Sequence, residues 1–431
     1  MSGARTITGA EEVLERLPRL PGGAELLALA RGRPDIALVG GAVRDLLLGL
    51  RPRELDVTLA RGSAEAAAAL AGSFPEDERP AGEPLVPTLH ERFGTASLAW
   101  IHGRIDMAER RAESYPAPGA LPEVRPGTVT EDLARRDFTV NAISLPLAGA
   151  HPGELHAVEH ALEDLRAGRL RVLHERSFED DPTRLLRLAR YASRLGFEIE
   201  AGTLELARAA IAAGALRTVS GGRVASELWL FTEEGNCDGF GELGELGVLA
   251  ALGLPTRFDA DLHRRASGLM PEDGVRELLD MIALFHPPDE DGPPARDAAA
   301  ALMEDFEFLA ETRARVLAGA FGVNSVAAQI ERDTRPSRLG ALLSGRPVEG
   351  VALIGGLASR GDPGAEAAVE RWLTRQRHVS LEIDGGDLLA AGVPEGPEVG
   401  RRLARTLDLK LDGELEGGRD AELSAALGVA T

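Results

Sequence analysis

Cysteine is almost missing from this 431-residue chain: Cys237 stands alone. That excludes an internal disulfide framework and any cysteine-based metal cluster, and it suits a reducing compartment, the cytoplasm. Lysine is equally scarce, with Lys410 the one lysine among 48 basic residues, an arginine bias that a GC-rich coding sequence produces without functional demand. Aromatic residues make up only 4%. No apolar run approaches the length of a membrane span and none at the N-terminus resembles a signal peptide, so a soluble, intracellular protein without membrane contact is expected. The net charge of −21 argues against indiscriminate nucleic-acid binding, which needs concentrated positive charge. Charge is uneven, however. Seven arginines stand against three acids from Arg184 to Arg223, whereas Glu272 to Glu311 is crowded with Asp and Glu, so an RNA partner is expected to touch the first stretch and avoid the second.

Present in abundance is apolar content, 44% of residues, enough for the several buried cores that this length implies. The most informative stretch is Leu38-Val39-Gly40-Gly41-Ala42-Val43-Arg44-Asp45, followed by Glu54-Leu55-Asp56. An apolar strand from Ile36 to Val39 runs into a Gly-Gly turn and a helix opening near Val43, which bares backbone N–H groups where triphosphate oxygens bind. In the next strand, Glu54 and Asp56 alternate with core-facing Leu55 and Val57 and so point into one cleft. Paired carboxylates beside a phosphate cradle suit two-metal phosphoryl chemistry, because Mg²⁺ takes hard oxygen ligands and only a few from the protein.

GGAVRDLLLG…ELDVTLA resembles the first motif of the class II nucleotidyltransferases, the group of tRNA CCA-adding enzymes and bacterial poly(A) polymerases, with Glu54 in place of the family's first Asp. Gly94-Thr95, Ile105-Asp106-Met107-Ala108, Arg111, Glu113 and Tyr115 are similar to its FGT…IDIA…RxExY element. Glu131 to Ala142 nearly reproduces EDLxRRDFTxNA, and Phe178 to Arg187 resembles FxEDPxRxLR, with Asp180 where the family has Glu. The resemblance implies metal ligation by Glu54, Asp56 and Asp106. It also implies nucleotide binding by Gly40, Gly41, Arg44, Asp45, Arg111, Arg135, Arg136, Asp137, Asn141, Asp181, Arg184 and Arg187, with Asp181 and Arg184 pairing with the base. Asp164 to Gly168 fits the family's hinge, Ser220 to Trp229 looks like a decayed SxERxxxELxK with Gly222 for Glu, and Leu381 to Leu403 looks like the closing IxGxDL…GxxPGPxIGxxL. A phosphohydrolase HD domain, carried by some relatives, has no visible counterpart, since no His-Asp pair stands among the helices.

Asp181 ahead of Pro182 is also a good helix N-cap, and Arg184, Arg187, Arg190 and Arg194 share one side of the helix that follows. That side reads either as a solvated face or as a protein template for the nucleotide base.

The expected architecture is an α/β nucleotidyltransferase head, a mixed sheet with helices, followed by all-α neck, body and tail. The boundaries are an N-terminal helical extension over 1–30, head 31–150, neck 151–235, body 236–330 and tail 331–431, with a loop from Pro287-Pro288 to Pro293-Pro294. The expected reaction is Mg²⁺-dependent transfer of CMP or AMP from CTP or ATP to a tRNA 3′ end, whole or partial CCA addition. Poly(A) addition and a catalytically silent RNA- or nucleotide-binding homologue are the alternatives.

Overall fold

Residues 36–39 are uniformly apolar and buried, and Ala37 to Val39 build an interior strand of the sheet in the first of two compact units, residues 1–219 and 220–431. The computed structural model describes residues 5, 7–75, 85–90, 94–255, 257–288, 292–332 and 334–428.

In the first unit, helices α1 (Ala10–Arg16) and α2 (Gly23–Gly32) bury Val13, Leu26 and Ala30. Strand β1 (Ala37–Val39) leads into α3 (Gly40–Leu47), then β2 (Leu55–Leu59), α4 (Ser63–Ser73), β3 (Thr88–His90), β4 (Thr95–Trp100) and β5 (Gly103–Glu109). A hairpin of β6 (Arg111–Ser114) and β7 (Glu123–Pro126) follows, then α5 (Val129–Ala134), β8 (Ile143–Pro146) and β9 (His156–Ala157). The main sheet runs β3-β4-β5-β2-β1-β8-β9. It is mixed: β2 and β5 are parallel, whereas β1 is antiparallel to both β2 and β8. A parallel pair needs a crossover, here supplied by α4, β3 and β4, and that excursion lets two sequence-distant strands lie side by side.

The helix expected near Val43 already opens at Gly40. Val39 is extended and Gly40 takes φ +67, so one glycine makes the whole turn and no loop intervenes. The expectation of purely helical structure from about residue 151 also fails locally. After β9, helix α6 (Ala161–Ala167) leads to β10 (Arg169–Leu170), α7 (Ser177–Asp180) and α8 (Thr183–Leu195), and β10 pairs with β11 (Glu198–Ile199) ahead of α9 (Ala201–Ala212). Strands of two residues carry no alternation to read.

The second unit is helical throughout its described residues. Its centre is formed by Leu279, Met281, Ile282 and Phe285 of helix Arg276–Phe285 and by Val351 to Ile354 of helix Val348–Gly361. A separate small core of Ile383, Leu388, Val393 and Ala426 closes the chain, beneath a capping box in which Asp384 and Asp387 serve each other's backbone. Two expectations change here. Pro293 and Pro294 begin a helix rather than end a loop, because a proline lacking its N–H is tolerated in the first turn; residues 289–291 of that expected loop lie outside the described residues. Gly222, where the family motif has Glu, packs against the Glu307 carboxylate: a Cβ there would meet Glu307 Oε2 at 2.8 Å, so a side chain would require Glu307 to swing aside. Among the described residues no helix is long and apolar enough to cross a membrane.

Candidate active site

Parallel pairing of β2 with β5 sets Asp56 directly opposite Asp106. Glu54 lies in a bend one residue before β2 rather than in the strand, yet its carboxylate joins theirs: one oxygen from each of the three lies within 4.8 Å of the others. Leu55 and Val57 are buried as the alternation requires. Burial, reinforced by the Glu54 and Asp106 charges and opposed by Arg136 and Arg44, pushes the Asp56 carboxyl up to about 7. A site that resists its own ionisation in this way is relieved by a cation, and three hard oxygen donors fit a divalent one.

Arg104 supplies positive charge there, its Nε lying 2.9 Å from Asp106 Oδ1 and 3.8 Å from Glu54 Oε2. Ser97 Oγ donates to Asp106 Oδ1 at 2.5 Å. Neither residue was anticipated from the sequence. Arg104 had a readable cue, being two residues before Asp106 and so on the same strand face; Ser97 comes from β4 and had none.

The Gly-Gly turn borders these carboxylates. A Cβ on Gly40 would meet Arg136 Nη1 at 2.7 Å, so the guanidinium lies against the turn. Arg44 and Asp45, expected among the nucleotide contacts, lie instead behind the cavity wall, 1% and 3% exposed. The physical reason is helical: from a start at Gly40 both side chains are carried inward. Arg44 Nη1 donates to Asn141 Oδ1 at 2.5 Å and its Nε to Asp45 Oδ1 at 2.8 Å. Asn141 in turn donates to Asp137 Oδ1 at 2.9 Å.

Opposite this turn a cavity of about 540 Å³ is lined by Asp56, Asp106, Arg111, Arg135, Arg136, Asp137, Asn141, Asp181, Arg184 and Arg187, with Gly41. Its arginines are held by acids. Asp132 accepts from Arg135 at 2.7 Å and from Arg136 at 3.1 Å. Glu113 accepts from Arg111 at 2.8 Å, Arg135 at 3.1 Å and the Tyr115 hydroxyl at 3.0 Å. Burial and the Glu113 charge push that phenol up to about 12, so it remains a donor. Burial works against the charge of Asp137, but Arg187 and the Asn141 amide outweigh it and hold its carboxyl below the usual range.

Helix α8 forms the wall facing the carboxylates. Asp181 Oδ1 accepts from Thr183 N at 3.1 Å and Thr183 Oγ1 at 2.6 Å, a local turn that starts the helix. Arg184, 3% exposed, donates from Nη1 to Ser177 Oγ at 2.6 Å and from Nη2 to the Arg135 carbonyl at 2.8 Å. The arginine face of α8 is therefore mostly covered: Arg184 and Arg190 are buried, Arg194 reaches Asp45, and Arg187 borders the cavity with its side chain 37% exposed. Tyr191, four residues beyond Arg187 on that face, also lines the cavity, with the Arg44 guanidinium 5.2 Å from its ring centre. The helical repeat could have flagged it. Asp164 of the expected hinge is fully buried and accepts from Thr139 and Arg171, while Gly168 ends α6 at φ +64.

In the second unit the structure forms a His–Asp pair that the sequence does not show as neighbours, His263 Nε2 to Asp280 Oδ1 at 2.7 Å. Cys237 lies beside it.

Residues 36–171 match the family model of the poly A polymerase head domain. The chain is 39% identical over 260 residues to the A-adding tRNA nucleotidyltransferase of Halalkalibacterium halodurans, covering 58% of this chain and 57% of that protein. It is 30% identical over 415 residues to the A-adding tRNA nucleotidyltransferase of Geobacter sulfurreducens, covering 91% of this chain and 45% of that protein. With the CC-adding tRNA nucleotidyltransferase of Deinococcus radiodurans it shares 44% over 168 residues, 38% of this chain and 42% of that one. The chain thus spans about half the length of the curated relatives that it matches. Its fold is similar to an apo form of a CCA-adding enzyme, with a TM-score of 0.78 and 25% identity over 99% of this chain and 100% of that one. Residues 36–171, which carry the three carboxylates with Arg104, Arg111, Arg135 and Arg136, are thus similar to the poly A polymerase head domain, and the chain resembles tRNA nucleotidyltransferases over part of their length.

Proposed function

We propose that the chain transfers a nucleoside monophosphate from CTP or ATP to the 3′ hydroxyl of a tRNA and releases pyrophosphate, in the cytoplasm. The observation that carries this reading is the in-register pairing of Asp56 with Asp106 in a cavity that Arg104, Arg111, Arg135, Arg136, Arg184 and Arg187 also line, with the Glu54 carboxylate joining the two acids from outside that lining. Glu54, Asp56 and Asp106 would hold Mg²⁺, which when bound lowers the pKa of the attacking hydroxyl and neutralises charge on the leaving pyrophosphate. The backbone at Gly40 and Gly41, with Arg111, Arg135, Arg136 and Arg187, receives the triphosphate; forked guanidinium donors match its oxygens. Asp132, Glu113 and Asp137 hold those guanidinium groups in place before the nucleotide arrives, so little ordering is left to pay for on binding.

Asp181 and Arg184 face the same cavity as one acceptor and one donor. Cytosine and adenine each offer an amine beside a ring-nitrogen acceptor, so this pair accepts both and repels uracil and guanine. The A-adding, CC-adding and CCA-adding relatives support tRNA as acceptor. Incubation with tRNA lacking its 3′ end, Mg²⁺ and each labelled nucleoside triphosphate tests the reading. One added A, two added C or all three identify the product, a long A tract identifies poly(A) synthesis, and no extension identifies a silent homologue.

A further inference from the structure

Cys237, His263 and Asp280 converge in the second unit from three separate elements: the turn between helices Gly221–Glu233 and Gly239–Leu246, helix Ala260–Gly268, and helix Arg276–Phe285. A thiol sulfur, an imidazole nitrogen and a carboxylate oxygen there lie within 4.8 Å of one another. Asp280 is 0% exposed; its Oδ1 lies 2.7 Å from His263 Nε2, and its Oδ2 has no hydrogen-bond partner among the described residues. Aromatic rings pack on one side, with Phe258 5.3 Å from Phe240 and 5.5 Å from the His263 ring, while the charges of Asp238 and Arg276 also act on the thiol. A buried carboxylate oxygen left without a donor in such a place is costly, and one histidine can satisfy only one of the two oxygens.

We propose that these three side chains form a metal site for zinc, separate from the carboxylates of the head. Sulfur, nitrogen and oxygen are the donor types that zinc accepts together, and three protein ligands leave a fourth position for water. Zinc ligands in a tetrahedron are about 3.5 Å apart, so the widest pair, up to 4.8 Å, closes by roughly 1.3 Å at most and the His263–Asp280 pair, at 2.7 Å, opens by roughly 0.8 Å. On binding, the thiol proton leaves to solvent, and the Nε2 proton that bonds Asp280 Oδ1 is released or shifts to Nδ1, which frees the Nε2 lone pair for the metal. The bound ion ties the turn at Cys237 to the two helices and stiffens this unit.

A nucleophilic role for Cys237 is disfavoured by its surroundings. Burial and the neighbouring Asp280 charge push the thiol far up, and the histidine is engaged with the carboxylate.

Cobalt substitution of the full-length protein tests the site. Because the chain has one cysteine, a thiolate-to-cobalt charge-transfer band reports Cys237 and cannot arise from Glu54, Asp56 and Asp106. The expected result is that band at one cobalt per chain, displaced by one zinc, with a chelator lowering the melting temperature of the zinc-loaded protein by several degrees. Cys237→Ser should abolish the band and His263→Ala should weaken cobalt binding by more than about 10-fold. Mg²⁺-dependent nucleotide addition by Cys237→Ser should continue, which separates this site from the head. Absence of the band in the unmodified protein overturns the proposal, a measurement that does not depend on any variant folding. So does cobalt affinity unchanged in His263→Ala, which would leave the trio a hydrogen-bonded core cluster.

Discussion

Arg194 Nη2 donates to Asp45 Oδ2 at 2.8 Å, joining residues 149 apart in sequence and tying the end of α8 to the helix that follows the Gly-Gly turn. The arginine is 22% exposed at its side chain and the aspartate 4%, so the pair is structural rather than part of an RNA-facing surface. Breaking one partner of a mostly buried pair costs about 3 kcal/mol. Arg194→Ala is expected to lower the melting temperature of the head while the salt dependence of tRNA binding stays as it was. A flattened salt slope with unchanged stability would return Arg194 to the RNA surface; thermal denaturation and binding at several salt concentrations measure both.

Glu54 approaches the metal locus from a bend, with its side chain 44% exposed and Arg104 3.8 Å away, whereas Asp56 is fixed within the sheet. Glu54→Asp is therefore expected to keep or raise turnover. Asp56→Ala should lower it by more than about 100-fold, the size of effect that a misplacement of about 1 Å produces. Steady-state rates of the two variants decide; the reverse order of effects would make the carboxylate assignment wrong.

Asp181 both starts α8 and faces the cavity. If it recognises the base, Asp181→Ala raises UTP or GTP incorporation toward the rates for CTP and ATP, since each unpaired buried group costs roughly 1–3 kcal/mol against the wrong base. A purely capping role predicts about 1 kcal/mol of lost stability with selectivity intact. Incorporation of all four nucleotides, measured beside the melting temperature, separates the two.

In the second unit Asp259 accepts from both Arg360 nitrogens at 2.7 Å and caps helix Ala260–Gly268 through Leu262 N. Arg360 leads in lowering its carboxyl from 3.8 to about 2. A depressed carboxyl contributes stability that is complete above its unfolded value and lost as pH falls through the folded one. The stability gap between the natural protein and Asp259→Asn should hold above about pH 4 and close toward pH 2. Denaturant titrations across that range would refute the assignment if the gap were independent of pH.

Much of the head could be read in the chain because its chemistry is local in sequence. The glycines of the turn, the carboxylates near β2 and the run Arg135-Arg136-Asp137 each sit in short segments whose periodicity or composition is visible. Asp106 was joined to Glu54 and Asp56 only through the family resemblance; the register that sets it opposite Asp56 exists because β5 crosses back to lie parallel to β2. Arg44 and Asp45 were legible as motif residues, yet only packing decides that they support Asn141 and Arg194 from behind the wall. The arginines of α8 show the limit most clearly. Helical spacing places them on one face, but a face is wet or dry according to what covers it; here Ser177, the Arg135 carbonyl and Asp45 cover much of it, while Arg187, bonded to Asp137, stays partly open to the cavity. Cys237, His263 and Asp280 lie beyond any sequence spacing rule for the same reason. Local residue order determines turns, helices and the charges that they carry; which of those charges meet is decided by the crossings and packing that close the chain on itself.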